Sequence, residues 1–404
     1  MVEGDAMAIP RTSAPQRKTA REGFAPGPAI EERGGVWHVR SYDLVRQVLR
    51  RPDGIRQAGF NAELASRTGL RQPVLFEDGA AHHEHRTAIA RFFTPARIDA
   101  AYREMMDALS ERLVARLERD GHADISDLSL ELAMQVAARV VGLTDSRRPG
   151  MAQRLEAILE LERLERLSWF RRVGSMARVQ GHVRRFLRHD VRPAIEARRR
   201  APREDVISHL LSKGYKESEI LIECITYGAA GMATTREFIV MAAWHLLEDE
   251  ALKVRYLEGN DAQRIAVLHE ILRLEPVVGH LYRRTTEPIE IEHDGTSTTI
   301  PAGARLDLDV RAANADAAAV GAAPLQPHPD RSRAPRVQAP AMSFGDGAHR
   351  CPGAFLAMAE SDAFLKRLLR LDLGVEGAPE IGWNELIEGY EVRGLRVAVR
   401  QGEA

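Results

Sequence analysis

The sequence predicts a mainly α-helical protein with small β-sheets, folded as one large domain. Apolar residues recur three and four positions apart through most of residues 82–260, which is the spacing of amphipathic helices. Alternating segments with β-branched residues at 283–310 and 380–400 predict small sheets towards the carboxyl end. Residues 1–25 are rich in Ala, Pro, Arg and Thr, so we expect a loose, disordered arm ahead of a domain that spans 26–404.

The single elements follow from the apolar spacing and from the residues that interrupt it. Segment 36–50 begins with strand-like alternation and becomes helical after Ser41. Helices are expected at 96–119, 127–143, 150–170, 174–199, 217–249, 262–274 and 354–371. Breaks are expected at Gly121, Gly142, Pro149, Gly174, Pro202, Gly214 and Asn260. The Asp294-Gly295 pair predicts a hairpin turn inside the first sheet region.

Composition excludes several classes of protein. The chain has 404 residues, 44% hydrophobic and 28% charged, with a net charge of −1, so nothing favours binding to nucleic acid or to a membrane surface. No apolar run is long enough for a signal peptide or a membrane span. The two cysteines, Cys224 and Cys351, cannot form a disulfide framework, so we expect a soluble, cytoplasmic protein. Cys224 is expected to be a core residue at the start of the long helix.

The stretch FGDGAHRCPG at 344–353 is the strongest chemical signal. The amides after Cys351 begin the helix at 354–371, and the positive end of that helix would stabilise a thiolate. A single thiolate in a shielded loop fits the axial ligand of a haem iron, whereas the alternative is a buried, inert cysteine. Composition alone would produce F-x-x-G-x-x-x-C-x-G about three times in ten thousand such chains.

The neighbours of the cysteine fit a planar ligand. Gly345, Gly347 and Gly353 would let the main chain approach a flat group closely. Phe344 would pack beside the sulfur and exclude water from a metal–thiolate bond.

This stretch resembles the haem-binding signature of the cytochrome P450 family. The resemblance covers about residues 30–402 and implies the cytochrome P450 fold, with haem b between a long central helix and the cysteine loop and helix. It makes Cys351 the axial ligand of the iron. The region 312–336 matches the family pattern only loosely.

A second resemblance lies at 78–95, DGAAHHEHRTAIARFFTP. His82 and Arg86 match the family's H-x-x-x-R, whose two side chains bind the haem propionates. His85 competes for the histidine role, but its spacing to Phe-Thr-Pro is too short. The alternative to all of these roles is a solvated, histidine-rich start of a helix.

Four further residues match the family's haem surroundings. Arg283 fits the third propionate-binding position, with Arg284 as its rival, and His349 fits a position that contacts a propionate in many members. Glu270 and Arg273 form the family's E-x-x-R, which the resemblance makes a structural lock behind the haem. Taken without the resemblance, this pair is an ordinary surface ion pair.

The central helix carries YGAAGMATTREF and resembles the oxygen-binding stretch of the family. Ala230 and Gly231 occupy the small positions, and Thr234 occupies the alcohol position of the proton relay. The acid position is Ala233, which cannot carry a proton. Glu237, one turn beyond Thr234, is one candidate replacement, and ordered water or the substrate is the other.

By family analogy the substrate pocket is lined from five segments, namely 55–76, 160–176, 227–234, 277–280 and 388–391. Their polar side chains are Arg56, Gln57, Asn61, Tyr227, His280 and Tyr390. Such a mixture suits a medium-sized, partly polar substrate.

The resemblance implies a monooxygenase that oxidises a small molecule, in bacterial secondary metabolism. Because the chain carries no flavin or iron–sulfur motif, electrons are expected from a separate ferredoxin and ferredoxin reductase, docking near Arg91 and Arg350. We expect a monomer. Two alternatives stay open: oxidative C–C or C–N coupling or peroxide use, which Ala233 would favour, and a haem sensor or carrier without catalysis.

Overall fold

The computed structural model describes residues 17–19, 27–60, 71–159, 169–385 and 387–400, with only the backbone for 169–177. It confirms the predicted fold class, because long helices form the body and four small sheets lie around it. The helices are α1 Tyr42–Leu49, α2 Gly79–Ala90, α3 Pro95–Ala101, α4 Arg103–Asp120, α5 Ile125–Val141, α6 Met151–Leu159, α7 Trp169–Phe186, α8 Arg192–Arg200, α9 Val206–Ser212, α10 Glu217–Glu248, α11 Glu250–Glu258, α12 Asp261–Leu274, α13 Val310–Ala313, α14 Ala317–Val320 and α15 Ala354–Leu368.

The strands form small sheets around this body. A five-stranded sheet has the order β1-β2-β8-β5-β3, and the other three sheets pair β10 with β11, β6 with β7, and β12 with β4 and β9. The strands are β1 Ile30–Arg33, β2 Val36–Val39, β3 Ile55–Gln57, β4 His122–Asp124, β5 His280–Thr285, β6 Ile289–His293, β7 Thr296–Ile300, β8 Arg305–Asp309, β9 Leu373–Glu376, β10 Glu380–Asn384, β11 Gly389–Arg393 and β12 Arg396–Val399.

Helix ends follow the chemistry of their capping residues. Asn260 accepts the amide of Gln263 and Gln263 binds back, so α12 begins with a complete capping box. Thr94 caps α3 with Pro95 in the first turn. The predicted break at Gly174 is wrong, because α7 runs through that position; the interruption is instead a π-helical turn at Leu187–Val191.

The long helix α10 forms the centre of the core. Most of its described side chains are buried, and it packs against α5, α6, α12 and α15. Cys224 is fully buried near the start of this helix, as predicted. A helix that is buried on nearly every side has few positions that suit polar groups. The polar residues on α10 therefore require a structural or functional explanation.

Part of the predicted loose arm is bound to the body. The Thr19 hydroxyl donates to Glu275 Oε2 over 2.5 Å, and Arg17 Nε donates to the carbonyl of Leu274 over 2.6 Å. Lys18 pairs with Glu248 and lies 4.4 Å from the centre of the Trp244 ring. The prediction of disorder is therefore wrong for residues 17–19, and the rest of the arm lies outside the described residues.

Within the described part of the chain, each helix is too short or too polar to cross a lipid bilayer.

Candidate functional site

A cavity of about 510 Å³ lies between the central helix α10 and the loop that precedes α15. Ala230, Gly231 and Thr234 line it from α10, and Phe344 and Cys351 line it from the loop. The two sequence motifs that are more than one hundred residues apart therefore meet across one space.

Backbone hydrogen bonds fix the cysteine at the start of α15. The Cys351 N–H donates to the carbonyl of Phe344 over 2.8 Å, and the Gly353 N–H donates to the Cys351 sulfur. Burial raises the pKa of the Cys351 thiol, while this N–H and the guanidinium groups of Arg86 and Arg350 act to lower it. Negative charge on the sulfur therefore already has three partners in the protein.

The loop needs glycine at one position above all. Gly347 has φ +66°, and a Cβ atom there would lie 2.0 Å from the carbonyl oxygen of Leu49. Gly345 has the same φ, whereas a Cβ on Gly353 would be 3.9 Å from the Cys351 sulfur, an ordinary contact. The close approach to α1, rather than space for a ligand, is what makes Gly347 indispensable.

Gly347→Ala is expected to destabilise the protein by about 3 kcal/mol or more, because the new Cβ overlaps a backbone atom in a left-handed conformation. Gly295→Ala is the matched control, since Gly295 has φ +74° and open space around it, and should cost about 1–2 kcal/mol. Chemical unfolding followed by circular dichroism would compare them. Equal losses would show that the contact with α1 is unimportant.

Two arginines, one buried and one half-buried, line the cavity without a bonded carboxylate among the described residues. Arg283 is 4% exposed, and burial lowers the pKa of its guanidinium to about 10; its hydrogen bond goes to the carbonyl of Tyr282. Arg86 donates to the carbonyl of Arg350. Among the described acids, Asp78 is the one whose negative charge acts to raise the pKa of Arg283. Two arginines, Arg283 buried and Arg86 half-buried, that lack carboxylate partners among the described residues are suited to a ligand with two carboxylates.

Two histidines stand beside these arginines. The rings of His82 and His349 stack at 4.0 Å between centres, and His349 Nε2 lies 3.1 Å from Asp78 Oδ1. Burial, His349 and Arg86 lower the pKa of His82 to about 4, so His82 is a neutral hydrogen-bonding group. The cysteine, the arginines and the histidines together fit a haem with two propionates, because donors and thiolate lie on the same cavity.

The rival residues lie elsewhere. His85 points to Glu77, with His85 Nδ1 3.0 Å from Glu77 Oε2. Arg284 donates to the carbonyl of Gly303 and does not line the cavity, whereas Arg283 does. The structure thus brings His82 and Arg283, rather than His85 and Arg284, to the space beside Cys351.

Glu270 and Arg273 form the centre of a buried network. Arg273 Nε and Nη2 donate to Glu270 Oε2 and Oε1 over 2.9 and 2.8 Å. Glu270 Oε1 also accepts Arg331 Nε and the His328 N–H, each at 3.0 Å. Neither residue lines the cavity, and Arg273 also donates to the carbonyls of Asn314 and Pro324. Arg331 lies in the region that matched the family pattern only loosely, and no motif in that region indicated its role.

Helix α10 contributes three of the predicted residues to the cavity wall. Ala230, Gly231 and Thr234 face the cavity, while Ala233 is buried and does not line it. The Thr234 hydroxyl donates to the carbonyl of Ala230 over 2.6 Å. Its oxygen remains available as an acceptor, so Thr234 could hold a water or a substrate group.

The structure does not bring Glu237 to the cavity. Both of its oxygens are occupied, by the Val392 N–H at 2.7 Å and by Arg393 Nη1 at 2.7 and 3.0 Å, and Arg236 Nε donates over 3.0 Å. The Glu237 carboxylate therefore holds β11 against α10. Its hydrogen bonds leave neither oxygen free to face the cavity. The hypothesis that Glu237 replaces the acid at Ala233 is therefore wrong on geometry.

Another acid does line the cavity. Glu360 of α15 is buried, its carboxyl hydrogen-bonds with Thr235, and its Oε2 has no partner among the described residues. Burial raises the pKa of Glu360 well above its usual value, which favours the protonated carboxylic acid over the carboxylate. Sequence reasoning missed it; the one signal was a lone glutamate inside the apolar run AFLAMAESDAFL.

The predicted pocket segments reach the cavity in part. Gln57, Tyr227, Val277 and Val278 line it, whereas His280 binds Asp307 and the Tyr390 hydroxyl donates to the carbonyl of Glu275. Arg56 is exposed. Asn61 and the side chains of 160–176 lie outside the described residues.

Comparison with known proteins agrees with these motifs. Residues 265–371 match the model of the family described as Cytochrome P450. The chain is 27% identical over 304 residues to the biotin biosynthesis cytochrome P450 of Bacillus subtilis, covering 74% of this chain and 72% of that protein. It is 25% identical over 394 residues to the cytochrome P450 monooxygenase PikC of Streptomyces venezuelae, covering 92% and 88%.

Solved structures share the fold. CYP109E1 of Bacillus megaterium, in complex with testosterone, superposes with a TM-score of 0.73 at 23% identity, covering 93% of this chain and 96% of that one. A structure described among unusual cytochrome P450-like monooxygenases of microbial secondary metabolism has a TM-score of 0.76 at 20% identity, covering 94% and 97%.

Proposed function

We propose that the chain, whose motifs and similar proteins are those of the cytochrome P450 family, is an oxidoreductase of the monooxygenase type that oxidises a small organic molecule with electrons from separate proteins. The observation that carries the proposal is the cavity with Cys351 on one wall and Thr234 on the other. When bound, haem b would supply one-electron and dioxygen chemistry, and a thiolate ligand favours O–O bond cleavage.

The protein's own part begins with binding the cofactor. Cys351 would ligate the iron, and Arg86 and Arg283 would pair with the two propionates, with His82 and His349 as hydrogen-bonding neighbours. These pairings would give each of the two guanidinium groups the carboxylate that it lacks among the described residues.

The cavity walls exclude water and position the substrate. They are mostly apolar, with Val74, Phe93, Val140, Val277 and Leu281 among the lining side chains. An apolar molecule would be held over the cysteine side by contact with these groups, which reduces its freedom before reaction.

Proton supply is assigned to Glu360 in place of an acid at position 233. Its carboxyl group lies on the cavity and hydrogen-bonds with Thr235, the neighbour of Thr234, and burial, by raising its pKa, favours the form that carries a proton. We assign Glu360 Oε2 as the proton donor and Thr234 Oγ1 as the group that holds the accepting water or substrate.

Glu360→Gln is expected to lower the product formed per electron pair by about tenfold or more, because the amide cannot release a proton. Electrons not used for product should appear as hydrogen peroxide, measured alongside product. Glu118→Gln, an exposed acid on α4, is the control and should leave the ratio unchanged. An unaltered ratio in Glu360→Gln would contradict the assignment and leave ordered water or the substrate as the source.

Electron transfer would occur on the cysteine side of the molecule. Phe355, four residues after Cys351, is 54% exposed, and Arg350 beside the ligand is half-buried. Arg91 is exposed near His209. An apolar residue with nearby cations suits a small acidic ferredoxin, in turn reduced by a ferredoxin reductase. The likeness to monooxygenases of microbial secondary metabolism supports a role in that kind of pathway.

A second candidate is oxidative coupling or peroxide-driven oxidation, which Ala233 favours because such chemistry needs less proton relay. Turnover with a surrogate ferredoxin and reductase under ¹⁸O₂ separates the two. Incorporation of ¹⁸O into product, dependent on the reductase, supports monooxygenation. Coupled product without ¹⁸O, or turnover with peroxide alone, favours the second candidate, and no turnover with any substrate leaves a carrier or sensor.

A further inference from the structure

A short segment of the amino-terminal arm covers a buried carboxylate. Glu275 directly follows α12 and is 0% exposed, and Thr19 is 9% exposed. The Thr19 hydroxyl donates to Glu275 Oε2, and the N–H groups of Lys18 and Thr19 donate to Glu275 Oε1. Residues 17–19, which we call the clamp, therefore supply hydrogen bonds to both oxygens of this carboxylate.

The Glu275 carboxylate depends on these contacts. Burial acts to raise the pKa of Glu275, but hydrogen bonds with His245 and Thr19 and nearby positive charge lower it below its usual value. His245 Nε2 lies 3.4 Å from Glu275 Oε1, at the limit of a hydrogen bond. Without the clamp, Glu275 would lose its shorter hydrogen bonds, and a buried carboxylate without partners is costly. The chain around Glu275 would then have to rearrange to admit water.

The clamp also holds a second segment of the body, at α13. Arg311 Nη2 donates to the Thr19 carbonyl over 2.7 Å and to the Thr19 hydroxyl oxygen over 2.6 Å. Arg17 Nη2 donates to the Arg311 carbonyl over 3.1 Å. The Thr19 hydroxyl thus joins Arg311 to Glu275, two residues that are distant in the chain.

Both residues held by the clamp lie next to the wall of the cavity. Residues 277–278, both valines, follow Glu275 and line the cavity, and Val310, the neighbour of Arg311, lines it as well. The two segments bind each other, because the Val310 N–H donates to the Gly279 carbonyl over 2.9 Å. They are also closely packed, since a Cβ atom on Gly279 would lie 3.1 Å from Arg311 Cδ. A shift at Glu275 or Arg311 is therefore transmitted to the wall.

We infer that residues 17–19 position the part of the substrate wall that residues 277–278 and Val310 form. The inference rests on the proposed function, because it treats the cavity as the place where the substrate binds. None of the three clamp residues lines the cavity, so they act on a ligand only through that wall. Loss of the clamp should weaken the binding of an apolar ligand and leave haem ligation by Cys351 unchanged.

Thr19→Val tests the clamp, because it keeps the shape of the side chain and removes its hydroxyl. Hydrogen exchange of the full-length protein, followed by mass spectrometry, measures the mobility of the wall without any need for haem. The peptide that contains residues 277–279 should exchange at least about fivefold faster than in the wild type, since a hydrogen bond to a buried carboxylate is lost. The β6–β7 hairpin is the internal reference and should keep its rate.

Two further variants serve as controls. Thr19→Ser keeps the hydroxyl and should exchange like the wild type. Thr299→Val removes another threonine hydroxyl that donates to a glutamate, Glu290 Oε1 at 2.7 Å, where neither residue lines the cavity, and should leave the exchange of residues 277–279 unchanged. Unchanged exchange of these residues in Thr19→Val, or an equal increase in the β6–β7 hairpin, would overturn the clamp.

Ligand titration of the haem-loaded protein measures the consequence for binding. Imidazole and 4-phenylimidazole both ligate haem iron, and only the second carries an apolar ring that has to fit against the cavity walls. The affinity for 4-phenylimidazole relative to imidazole should be at least about threefold lower in Thr19→Val than in the wild type, Thr19→Ser and Thr299→Val. The affinity for imidazole itself should not change. An unaltered ratio would show that the clamp has no role in ligand binding.

The two measurements separate failure of the clamp from failure of the proposed function. If the wild type binds no haem and responds to neither imidazole, the proposed function fails, while hydrogen exchange still decides whether the clamp holds the wall. If haem binds with thiolate ligation and Thr19→Val matches the wild type in both measurements, only the clamp is wrong.

Discussion

Cys351→Ser is expected to abolish monooxygenase activity and the red-shifted Soret band of the reduced carbon monoxide adduct. A serine hydroxyl is harder and far less acidic than a thiol, so it does not supply the soft anionic ligand that gives this band. The Gly353 N–H and the nearby arginines would stabilise a thiolate at Cys351 but cannot ionise an alcohol.

Haem is still expected to enter the Cys351→Ser protein, because Arg86 and Arg283 remain available for its propionates. Absorption spectra of the oxidised, reduced and carbon monoxide-bound forms would check both points. Cys224→Ser is the matched control, since Cys224 is fully buried in the core and far from the loop in sequence; its adduct should keep the red-shifted band. A Cys351→Ser adduct with that band would show that another group ligates the iron.

Glu270→Ala should destabilise the fold by about 3–5 kcal/mol, the largest stability effect that we expect. The substitution leaves Arg273 and Arg331, both buried, without their shared carboxylate, and burying unpaired charges is costly. The His328 N–H loses its acceptor as well. Because Arg331 and Arg273 bind the carbonyls of Ala322, Asn314 and Pro324, the segment that leads to the cysteine loop should loosen.

Denaturant unfolding and haem content would measure this effect. Lys253→Ala is the control, since Lys253 forms an i, i+3 pair with Glu250, which is 73% exposed, and should cost at most about 1 kcal/mol. If Glu270→Ala costs no more than this control, the network has no structural role. If Glu270→Ala retains its full haem content but loses much stability, the network stabilises the fold and is not needed for haem binding.

The chemical motifs could be predicted from the sequence because each depends on local order. Three motifs show this: the cysteine with its glycines, the E-x-x-R pair, and the small residues of the central helix. Each of them lies within its own stretch of about ten residues. Hydrophobic spacing likewise predicted the helices well, since nearly every helix has one buried face. Gly174 shows the limit of local signals, because a single glycine inside a helix is tolerated when packing continues through it.

What could not be predicted depends on contacts between distant segments. Arg331 reaches Glu270 across 61 positions, and its own segment carries no regular pattern. Glu360 looks like an ordinary helix glutamate, and it is the packing of α15 against α10 that buries it. The same reason applies to Glu237, whose spacing from Thr234 indicated a relay but whose partners Val392 and Arg393 come from the far end of the chain.

The absorption spectrum of the wild-type protein tests the central claim most directly. Purified protein loaded with haem, reduced with dithionite and exposed to carbon monoxide should show the red-shifted Soret band of thiolate ligation through Cys351. A protein that stays colourless, or an adduct whose Soret band is not red-shifted, would contradict the account.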